Sequence, residues 1–271
     1  MTTSPLGNAV LLGTVAIEPN RWSTIDPSGA PVADLAHLAD PLAAAGIDGL
    51  EVWERHIPTD ATDARALADQ LPPIVVLNSY VSFDSEDATA LQTVVGRVDA
   101  TGTRAVKFNV GNDRSKEADY IQRVSQLRRM LPSEVVLLCE CHAHISIAEE
   151  PEVAARLLSS VGPPESVGAI VHTHEPVEHI RARFDAYGDR IHHVHVNFLD
   201  QSTMTVPVLA DRREELAQKV QLLRELGFDG SWTLEFVEGV LTERDDPAVM
   251  LDRAVEDLAV LHDVLGVRSD G

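Results

Sequence analysis

Short apolar runs rich in Val and Ile alternate with longer segments of helical period along this chain. The runs recur about every 30 residues, which is the length of one strand, one helix and their connections. They lie at residues 9–16, 47–53, 73–79, 104–109, 134–141, 167–172, 190–197 and 230–236. Continuous apolar runs of this kind are typical of parallel strands covered by crossover helices. The pattern therefore predicts an α/β fold.

Helix signals between the runs support this prediction. Asp246 and Pro247 predict a helix N-terminus, an apolar stripe follows over 251–265, and Gly266 predicts the end of the helix. Residues 211–226 show a similar stripe before a glycine. Both helices lie where a strand–helix repeat requires them.

Eight strands that alternate with helices fit either a closed barrel or an open doubly wound sheet. The open sheet usually has a glycine-rich phosphate-binding turn after its first strand, whereas residues 13–20 read Gly-Thr-Val-Ala-Ile-Glu-Pro-Asn. The length of 271 residues suits a barrel folded as one domain, and no linker rich in Gly or Ser divides it. We therefore predict a single-domain (β/α)8 TIM barrel over residues 1–271.

The charge of the chain excludes several classes of partner. A net charge of -21 and a pI near 4.7 oppose binding to phosphate backbones and anionic membranes. Because neither a long apolar span nor a basic region ahead of the N-terminal apolar stretch occurs, we expect no membrane insertion and a cytoplasmic location. Cys139 and Cys141 are two apart in a predicted strand, and we expect no disulfide between them.

Titratable side chains stand at the ends of four consecutive runs: Glu140, His172, His195 and Glu235. Alternate residues of a strand face the same side, and barrel enzymes place their chemistry at the C-terminal ends of the strands. Grouping these side chains at a barrel rim would be costly without a metal or tight pairing. We predict one divalent metal site, and the two imidazoles favour Mn, Co, Zn or Fe over Mg.

Other polar residues share these inward faces. His142 follows Glu140 in register, His174 follows His172, and Asn197 follows His195. Lys107 shares a face with Asn109 on the fourth run, although a rim lysine is as often the partner of an acid as a functional group. His192 faces outward by parity. The remaining histidines on predicted helices or loops are expected to be structural or exposed; they are His37, His56, His179 and His262.

In these residues the sequence resembles the xylose-isomerase-like barrel superfamily. That group holds sugar isomerases, ketose 3-epimerases, inosose isomerases and dehydratases, and DNA repair enzymes of the endonuclease-four type. The resemblance covers essentially the whole chain. Its matching pieces are specific as a set, whereas each single piece is a weak signal. The matching pieces are residues 46–51, Glu140-Cys141-His142, Val167-Gly168 leading to His172-Thr173, His193-Val194-His195, and residues 227–230 leading to Glu235.

The resemblance implies a metal bound by Glu140, the position of His172, His195 and Glu235. The superfamily usually has Asp at the sixth-strand position, so His172 is a departure, with His174 as an alternative ligand there. The repair enzymes need further histidines, and the chain has Glu175 three residues after the sixth-strand ligand. That difference and the acidic charge argue against DNA cleavage.

The implied activity is metal-dependent isomerisation or epimerisation of a ketose, cyclitol or related sugar through an enediolate, with Mn2+ as the first choice of ion. The resemblance assigns proton transfer to the two ligating glutamates, while His142, Lys107 or Glu54 are alternative bases. Residues expected to contact substrate are Glu54, Asn109, Asn197 and His174. The loops at 20–31 and 198–207 are expected to select it.

Two other interpretations stay open. The same enolate would expel a β leaving group in a lyase of the inosose-dehydratase or 3-keto-glycoside-eliminating type, with or without a partner subunit. A homo-oligomer or a partner subunit stays open for any of these activities. His142 slightly favours elimination, since it offers an acid or base distinct from the ligands. A non-catalytic sugar-binding barrel is the alternative from another class.

Overall fold

A computed structural model of the chain describes residues 4–23, 25–84, 88–142, 145–200, 202–203, 205–238 and 246–267. Eight parallel strands form a closed barrel in chain order. They are β1 (Val10–Gly13), β2 (Gly49–Trp53), β3 (Ile74–Asn78), β4 (Ala105–Phe108), β5 (Val136–Glu140), β6 (Val167–His172), β7 (Ile191–Val196) and β8 (Ser231–Leu234). Pairing of β1 with β8, with Leu12 opposite Leu234, closes the sheet. The structure confirms the predicted (β/α)8 barrel.

One α-helix follows each strand and covers the outside of the barrel. The helices are α1 (Ala39–Ala44), α2 (Ala61–Ala68), α3 (Thr89–Thr101), α4 (Glu117–Met130), α5 (Pro151–Val161), α6 (Val177–Tyr187), α7 (Arg213–Glu225) and α8 (Pro247–Leu265). The end signals of α8 are confirmed: the side chain of Asp246 accepts the Ala248 N–H at 2.8 Å, and Gly266 adopts a left-handed conformation. None of the described helices is both long and apolar enough to cross a membrane.

The observed strands lie within the predicted runs, but the first run was predicted too long. β1 ends at Gly13, and residues Thr14–Ile17 form a short 3-10 helix. The hydroxyl of Thr14 accepts the Trp53 backbone N–H at 2.9 Å and bonds His56 Nδ1 at 2.9 Å. These bonds stabilise the tight turn, and the apolar pattern alone could not reveal them.

The inside of the barrel is apolar at one end and polar at the other. Its N-terminal part is filled by a small buried cluster that includes Leu11, Val76, Ala105, Val136, Leu138 and Ile170. The larger apolar cluster lies between the sheet and the helices. Inward positions further along the strands hold charged and polar residues, so a polar site sits on an apolar floor at the C-terminal ends of the strands, as is usual for barrel enzymes.

Close strand packing at β7 requires glycine in its neighbours. A Cβ atom at Gly230 would lie 2.2 Å from the backbone oxygen of His192, and one at Gly168 would lie 2.7 Å from that of Arg190. The His192 side chain itself points away from the barrel interior, as predicted, and its Nε2 bonds the Pro164 oxygen at 2.7 Å. The two glycines thus let β6, β7 and β8 approach each other.

Candidate metal centre

The four predicted ligands come together at the polar end of the barrel. Glu140 ends β5, His172 ends β6, His195 lies near the end of β7, and Glu235 directly follows β8. All four are buried, and one ligand atom from each lies within 4.8 Å of the others. Carboxylate oxygens and imidazole nitrogens at this spacing suit a divalent transition-metal ion.

The distances describe a compact set of donors. Nδ1 of His195 lies 3.3 Å from Glu140 Oε1 and 3.3 Å from Glu235 Oε1. Nε2 of His172 lies 3.2 Å from Glu140 Oε1 and 3.9 Å from Glu235 Oε2. Two ring nitrogens therefore face two carboxylates across a small gap.

One buried atom in this set shows that the residues fit a metal ion. Within the described part of the chain, Nδ1 of His195 makes no hydrogen bond, although it is buried. The other ring nitrogen, Nε2, bonds Glu51 Oε2 at 3.1 Å. An unsatisfied buried polar atom costs about 1 to 3 kcal/mol, and coordination of a cation would satisfy this one.

The charges around the site also fit one divalent cation. Three buried carboxylates, on Glu51, Glu140 and Glu235, meet one buried ammonium group, that of Lys107, whose Nζ lies 2.6 Å from Glu140 Oε2. With neutral imidazoles, the carboxylates exceed the ammonium by two negative charges. Burying such an excess is costly unless it is compensated, and one divalent ion would compensate it.

The pKa shifts at the site come from burial and from the contacts among its carboxylates, imidazoles and ammonium group. Burial raises the pKa of both glutamates. At Glu140, Lys107 and the imidazoles outweigh burial, and the pKa falls well below its usual value. At Glu235, the imidazoles of His195 and His172 outweigh it, and the pKa falls to about 2. Burial lowers the pKa of His172, yet its bonds to carboxylates raise it to about 9. Protons and a metal ion would thus compete for the same nitrogens.

Glu51 on β2 is a buried site residue whose role the sequence did not predict. Its Oε2 contacts His195 Nε2 at 3.1 Å and His193 Nε2 at 3.2 Å, and it accepts the hydroxyl of Thr233 at 3.0 Å. Its Oε1 accepts the amide of Asn78 at 3.0 Å. The available signal was a carboxylate at an inward position of an otherwise apolar strand.

Glu175 plays a similar part beside His172. Its Oε1 lies 3.4 Å from His172 Nδ1, and its Oε2 accepts Arg183 Nε at 2.7 Å. Arg183 also donates to the backbone oxygen of Cys141 at 2.8 Å. Glu175 and Arg183 form a buried ion pair, and Glu175 contacts the His172 nitrogen that faces away from Glu140. From the sequence, Glu175 is considered only because the DNA repair enzymes need a histidine at this position.

Two predicted substrate contacts support the glutamates in this structure. Asn109 donates to Glu140 Oε2 at 2.7 Å, and Asn197 donates to Glu235 Oε2. The predicted contact Glu54 lies further out, where it accepts the Ser79 hydroxyl at 2.9 Å and the Tyr80 N–H at 3.0 Å and pairs with Arg97. Contacts of these three residues with substrate stay predictions.

The predicted groups His142 and His174 lie beside the cluster. The His142 ring is centred 5.9 Å from that of His172, and the His174 ring 5.1 Å from it. Burial and the neighbouring His172 lower the pKa of His174 to about 4. Both histidines line a cleft of about 270 Å³ that reaches Glu175 and Arg183. Their predicted chemical roles also stay predictions.

A second cleft, of about 200 Å³, opens on the other side of the cluster at Glu235. Aromatic rings form much of its wall: Trp22, Trp53, Tyr80 and Phe236. Trp22 lies in the loop predicted at 20–31, in which Thr24 is outside the described residues. Residues 201 and 204 of the other predicted loop, 198–207, are also outside them. Of the four clustered residues, the first cleft reaches His172 and the second reaches Glu235.

No model of a known protein family matches this sequence, and no curated protein matches it either. The fold and its polar rim define a (β/α)8 barrel with a candidate metal centre. Solved structures that share the fold include xylose isomerase-like TIM barrels. A xylose isomerase domain protein from Alicyclobacillus acidocaldarius is 15% identical with a TM-score of 0.67, and the alignment covers 97% of this chain and 99% of that one.

Two further structures extend the comparison. A fusion of a xylose isomerase-like TIM barrel with 4-hydroxyphenylpyruvate dioxygenase is 16% identical with a TM-score of 0.63; the alignment covers 97% of this chain but only 43% of the fusion protein. The E. coli 3-keto-D-glucoside 4-epimerase YcjR is 12% identical with a TM-score of 0.56, over 83% of this chain and 94% of that one. An endonuclease IV and a chitinase domain match as well, so this likeness establishes the fold alone.

Proposed function

We propose that this chain is a divalent-metal-dependent enzyme that moves a proton next to the carbonyl group of a keto sugar or cyclitol, as an isomerase or epimerase. The observation that carries the proposal is the quartet of Glu140, His172, His195 and Glu235, in which a buried ring nitrogen makes no hydrogen bond among the described residues. With neutral imidazoles, the buried carboxylates of the site also exceed its ammonium group by two negative charges. Mn2+ is our first choice of ion, ahead of Co2+, Zn2+, Fe2+ and Mg2+.

A bound divalent cation would supply Lewis acidity, polarising a carbonyl and a neighbouring hydroxyl of the substrate. The chain supplies the remaining groups. Glu140 and Glu235 approach the site from β5 and from the end of β8, and each keeps one oxygen bonded to an asparagine amide. The carboxylates are thereby held in place, as proton transfer between fixed positions requires.

Lys107 suits a different role from that of a base. Burial lowers its pKa, but the adjacent Glu140 raises it above the usual value, so the side chain stays an ammonium group. Its Nζ lies 2.6 Å from Glu140 Oε2 and 4.6 Å from the centre of the Tyr80 ring. We assign Lys107 the stabilisation of negative charge that develops on a substrate oxygen.

The aromatic cleft beside Glu235 supports a carbohydrate as substrate. The rings of Trp22 and Phe236 are centred 5.6 Å apart, and Arg21 lies 4.1 Å from the centre of the Trp22 ring. Aromatic faces offer apolar area to the C–H face of a sugar, while nearby polar groups orient its hydroxyls. One of the fold neighbours, YcjR, is a 3-keto-D-glucoside 4-epimerase, whose substrate belongs to the proposed class of keto sugars.

A lyase is the second candidate, and the position of His142 favours it. This histidine lines the cleft beside His172 and is not one of the four clustered donors. A separate acid or base on that side could protonate a leaving group β to the acidic carbon. The substrate would then lose that group and gain a double bond.

Metal analysis followed by isotope exchange tests the proposal. Purified protein is expected to bind about one equivalent of divalent metal per chain, and chelation is expected to stop turnover. Incubation in deuterated water with ketoses, inososes and 3-keto glycosides then separates the candidates: deuterium uptake with inversion indicates epimerisation, and an unsaturated product indicates elimination. Metal-free protein that still binds a sugar would favour a non-catalytic barrel and contradict the proposal.

A further inference from the structure

Glu51 is buried one layer below the candidate metal centre. It is 1% exposed and projects from β2 into the barrel, where its carboxylate contacts one of the candidate ligands, His195. It is not part of the quartet that approaches a common point. Burying a carboxylate at this depth is costly, so its partners indicate what the charge is used for.

Two uncharged groups fix the position of this carboxylate. Asn78 donates to one oxygen from β3, and Thr233 donates to the other from β8, each at 3.0 Å. His193 adds a contact at 3.2 Å and is itself held by Ser231 at its Nδ1 (2.6 Å) and Thr233 at its Nε2 (2.8 Å). A carboxylate held from several strands has little freedom to move.

This fixed carboxylate determines how His195 can act. An imidazole can bind a metal through either nitrogen, and the hydrogen bond of the other nitrogen decides which. Because Nε2 of His195 bonds Glu51 at 3.1 Å, its proton is directed there. Nδ1 is left facing Glu140 and Glu235, each 3.3 Å away, without a hydrogen bond of its own among the described residues.

We propose that Glu51 is a positioning residue that selects Nδ1 of His195 as the metal-binding atom and holds the ring in place. The inference rests on the proposed function, since it assumes that a metal binds. It goes further than that function because it assigns control over metal affinity to a residue of β2. This strand contributes no ligand to the quartet.

The alternative that Glu51 is itself a ligand fits the contacts less well. Glu51, His193 and His195 also offer atoms within 4.8 Å of one another. However, both nitrogens of His193 already have side-chain partners, and both oxygens of Glu51 are occupied. This lower group is a satisfied hydrogen-bond network, whereas the upper quartet contains the unsatisfied nitrogen.

Zn2+ titration of the full chain by calorimetry tests the inference. We expect Glu51→Gln to weaken Zn2+ affinity about 10- to 100-fold, the usual effect of removing a carboxylate behind a ligating histidine. The matched control is Glu18→Gln, because Glu18 is also fully buried and also bonds a histidine, His56, at 2.9 Å. We expect the control to stay within about twofold of wild type, because only carboxylates that contact a metal ligand tune metal affinity in this way.

Nitrogen-15 NMR of the histidine rings gives a readout that a purely structural role would not change. In Zn2+-loaded wild type, His195 is expected to show a metal-bound Nδ1 and a protonated Nε2 that exchanges slowly; in Glu51→Gln that protection should be lost. Zinc bound to Nε2 of His195 in wild type would overturn the inference. This result needs no variant, so it holds even if Glu51→Gln fails to fold. Equal Zn2+ affinity in wild type and Glu51→Gln would also overturn it. Failure of wild type to bind Zn2+ would instead refute the proposed function.

Discussion

The two ring nitrogens of His195 face different groups, and this explains much of the arrangement around the residue. Nε2 bonds a carboxylate that several strands hold in place, while Nδ1 faces the two glutamates of the rim. His172 repeats the arrangement with Glu175 behind its Nδ1 and Glu140 in front of its Nε2. Each imidazole thus has a supporting carboxylate on one side and the candidate metal position on the other, as in many protein metal sites.

Substitution of Glu140 and Glu235 tests the assignment of these two rim glutamates. Glu140→Gln and Glu235→Gln each remove one negative charge and one anionic ligand but keep the side-chain volume. We expect each variant to fold and to lose turnover by at least about 100-fold, since a lost ligand weakens both metal binding and proton transfer. Steady-state assays with metal-content measurements check this. Wild-type rates in either variant would refute the assignment.

Lys107 gives a second prediction, on stability. Removing one partner of a buried ion pair leaves the other charge uncompensated, so we expect Lys107→Met to lower the free energy of unfolding by about 3 to 5 kcal/mol. The control is Lys116→Met, whose pair with Asp84 is 40% and 51% exposed; its loss should cost less than about 1 kcal/mol. Urea denaturation with chelator present measures both. Similar losses in the two variants would contradict the role of the buried pair.

Strand parity predicted the quartet but not the carboxylates that support it. The inward residues at the ends of β5 to β8 are titratable, and a common rim follows from the fold. Glu51 lies in the middle of β2, and its partner His195 is 144 residues away in the chain. The register of the closed barrel decides which inward residue of β2 meets His195. A local sequence pattern does not encode this register.

Among the elements, β7 is tightly enclosed by its neighbours, and this yields a third prediction. The Cβ of Gly230→Ala would lie 2.2 Å from a backbone oxygen on β7, which cannot move aside cheaply. We expect a loss of about 2 to 4 kcal/mol in the free energy of unfolding, within the range for severe core changes. Gly96→Ala on α3 is the control, because nothing lies within 4 Å of that Cβ. Helix propensity predicts a gain of up to about 1 kcal/mol there. Equal effects in chemical denaturation would contradict this account.

Helix α8 carries the fourth prediction, a pH dependence. Asp257 is 3% exposed and accepts the Leu209 N–H at 2.9 Å, and burial raises its pKa to about 6. A carboxyl group whose folded pKa is raised stabilises the fold below its unfolded pKa near 4, and that contribution is lost as the pH rises to about 6. Asp257→Asn keeps the acceptor without the charge. We expect it to stabilise the protein by about 1 to 2 kcal/mol at pH 8 and by less at pH 4.

Thermal and urea unfolding at both pH values measure this difference. The matched control is Asp252→Asn on the same helix, since Asp252 is exposed and its substitution should change the free energy of unfolding by less than about 0.5 kcal/mol. A stabilisation of Asp257→Asn that is the same at pH 4 and pH 8 would contradict the assigned cause.

Sequence patterns located these elements well and their ends less well. The stripe and caps of α8 are local signals, and the structure confirms both ends of that helix. The end of β1 depends instead on contacts of Thr14 with Trp53 and His56 in the following unit of the barrel. Such contacts form only once β1 and β2 have paired, so periodicity could not predict them.

In the molecule as a whole, the residues that stabilise the barrel and the residues of the candidate site lie in different places. Apolar side chains fill the N-terminal end of the interior and the space under the helices, while titratable groups gather at the C-terminal end. From the net charge of -21 we expect nucleic acid to be an unfavourable partner of this chain. Barrels with this fold support several chemistries, so the fold fixes where the site lies and the side chains decide what it does.

The most direct test of the metal centre is an anomalous-difference map from a crystal soaked with Mn2+. We expect one strong peak that lies about 2.0 to 2.3 Å from four atoms, the range of metal–ligand bonds to oxygen and nitrogen. These atoms are one carboxylate oxygen each of Glu140 and Glu235, His172 Nε2 and His195 Nδ1. A peak among Glu51 and His193 instead, or a soaked crystal without a peak at this rim, would contradict it.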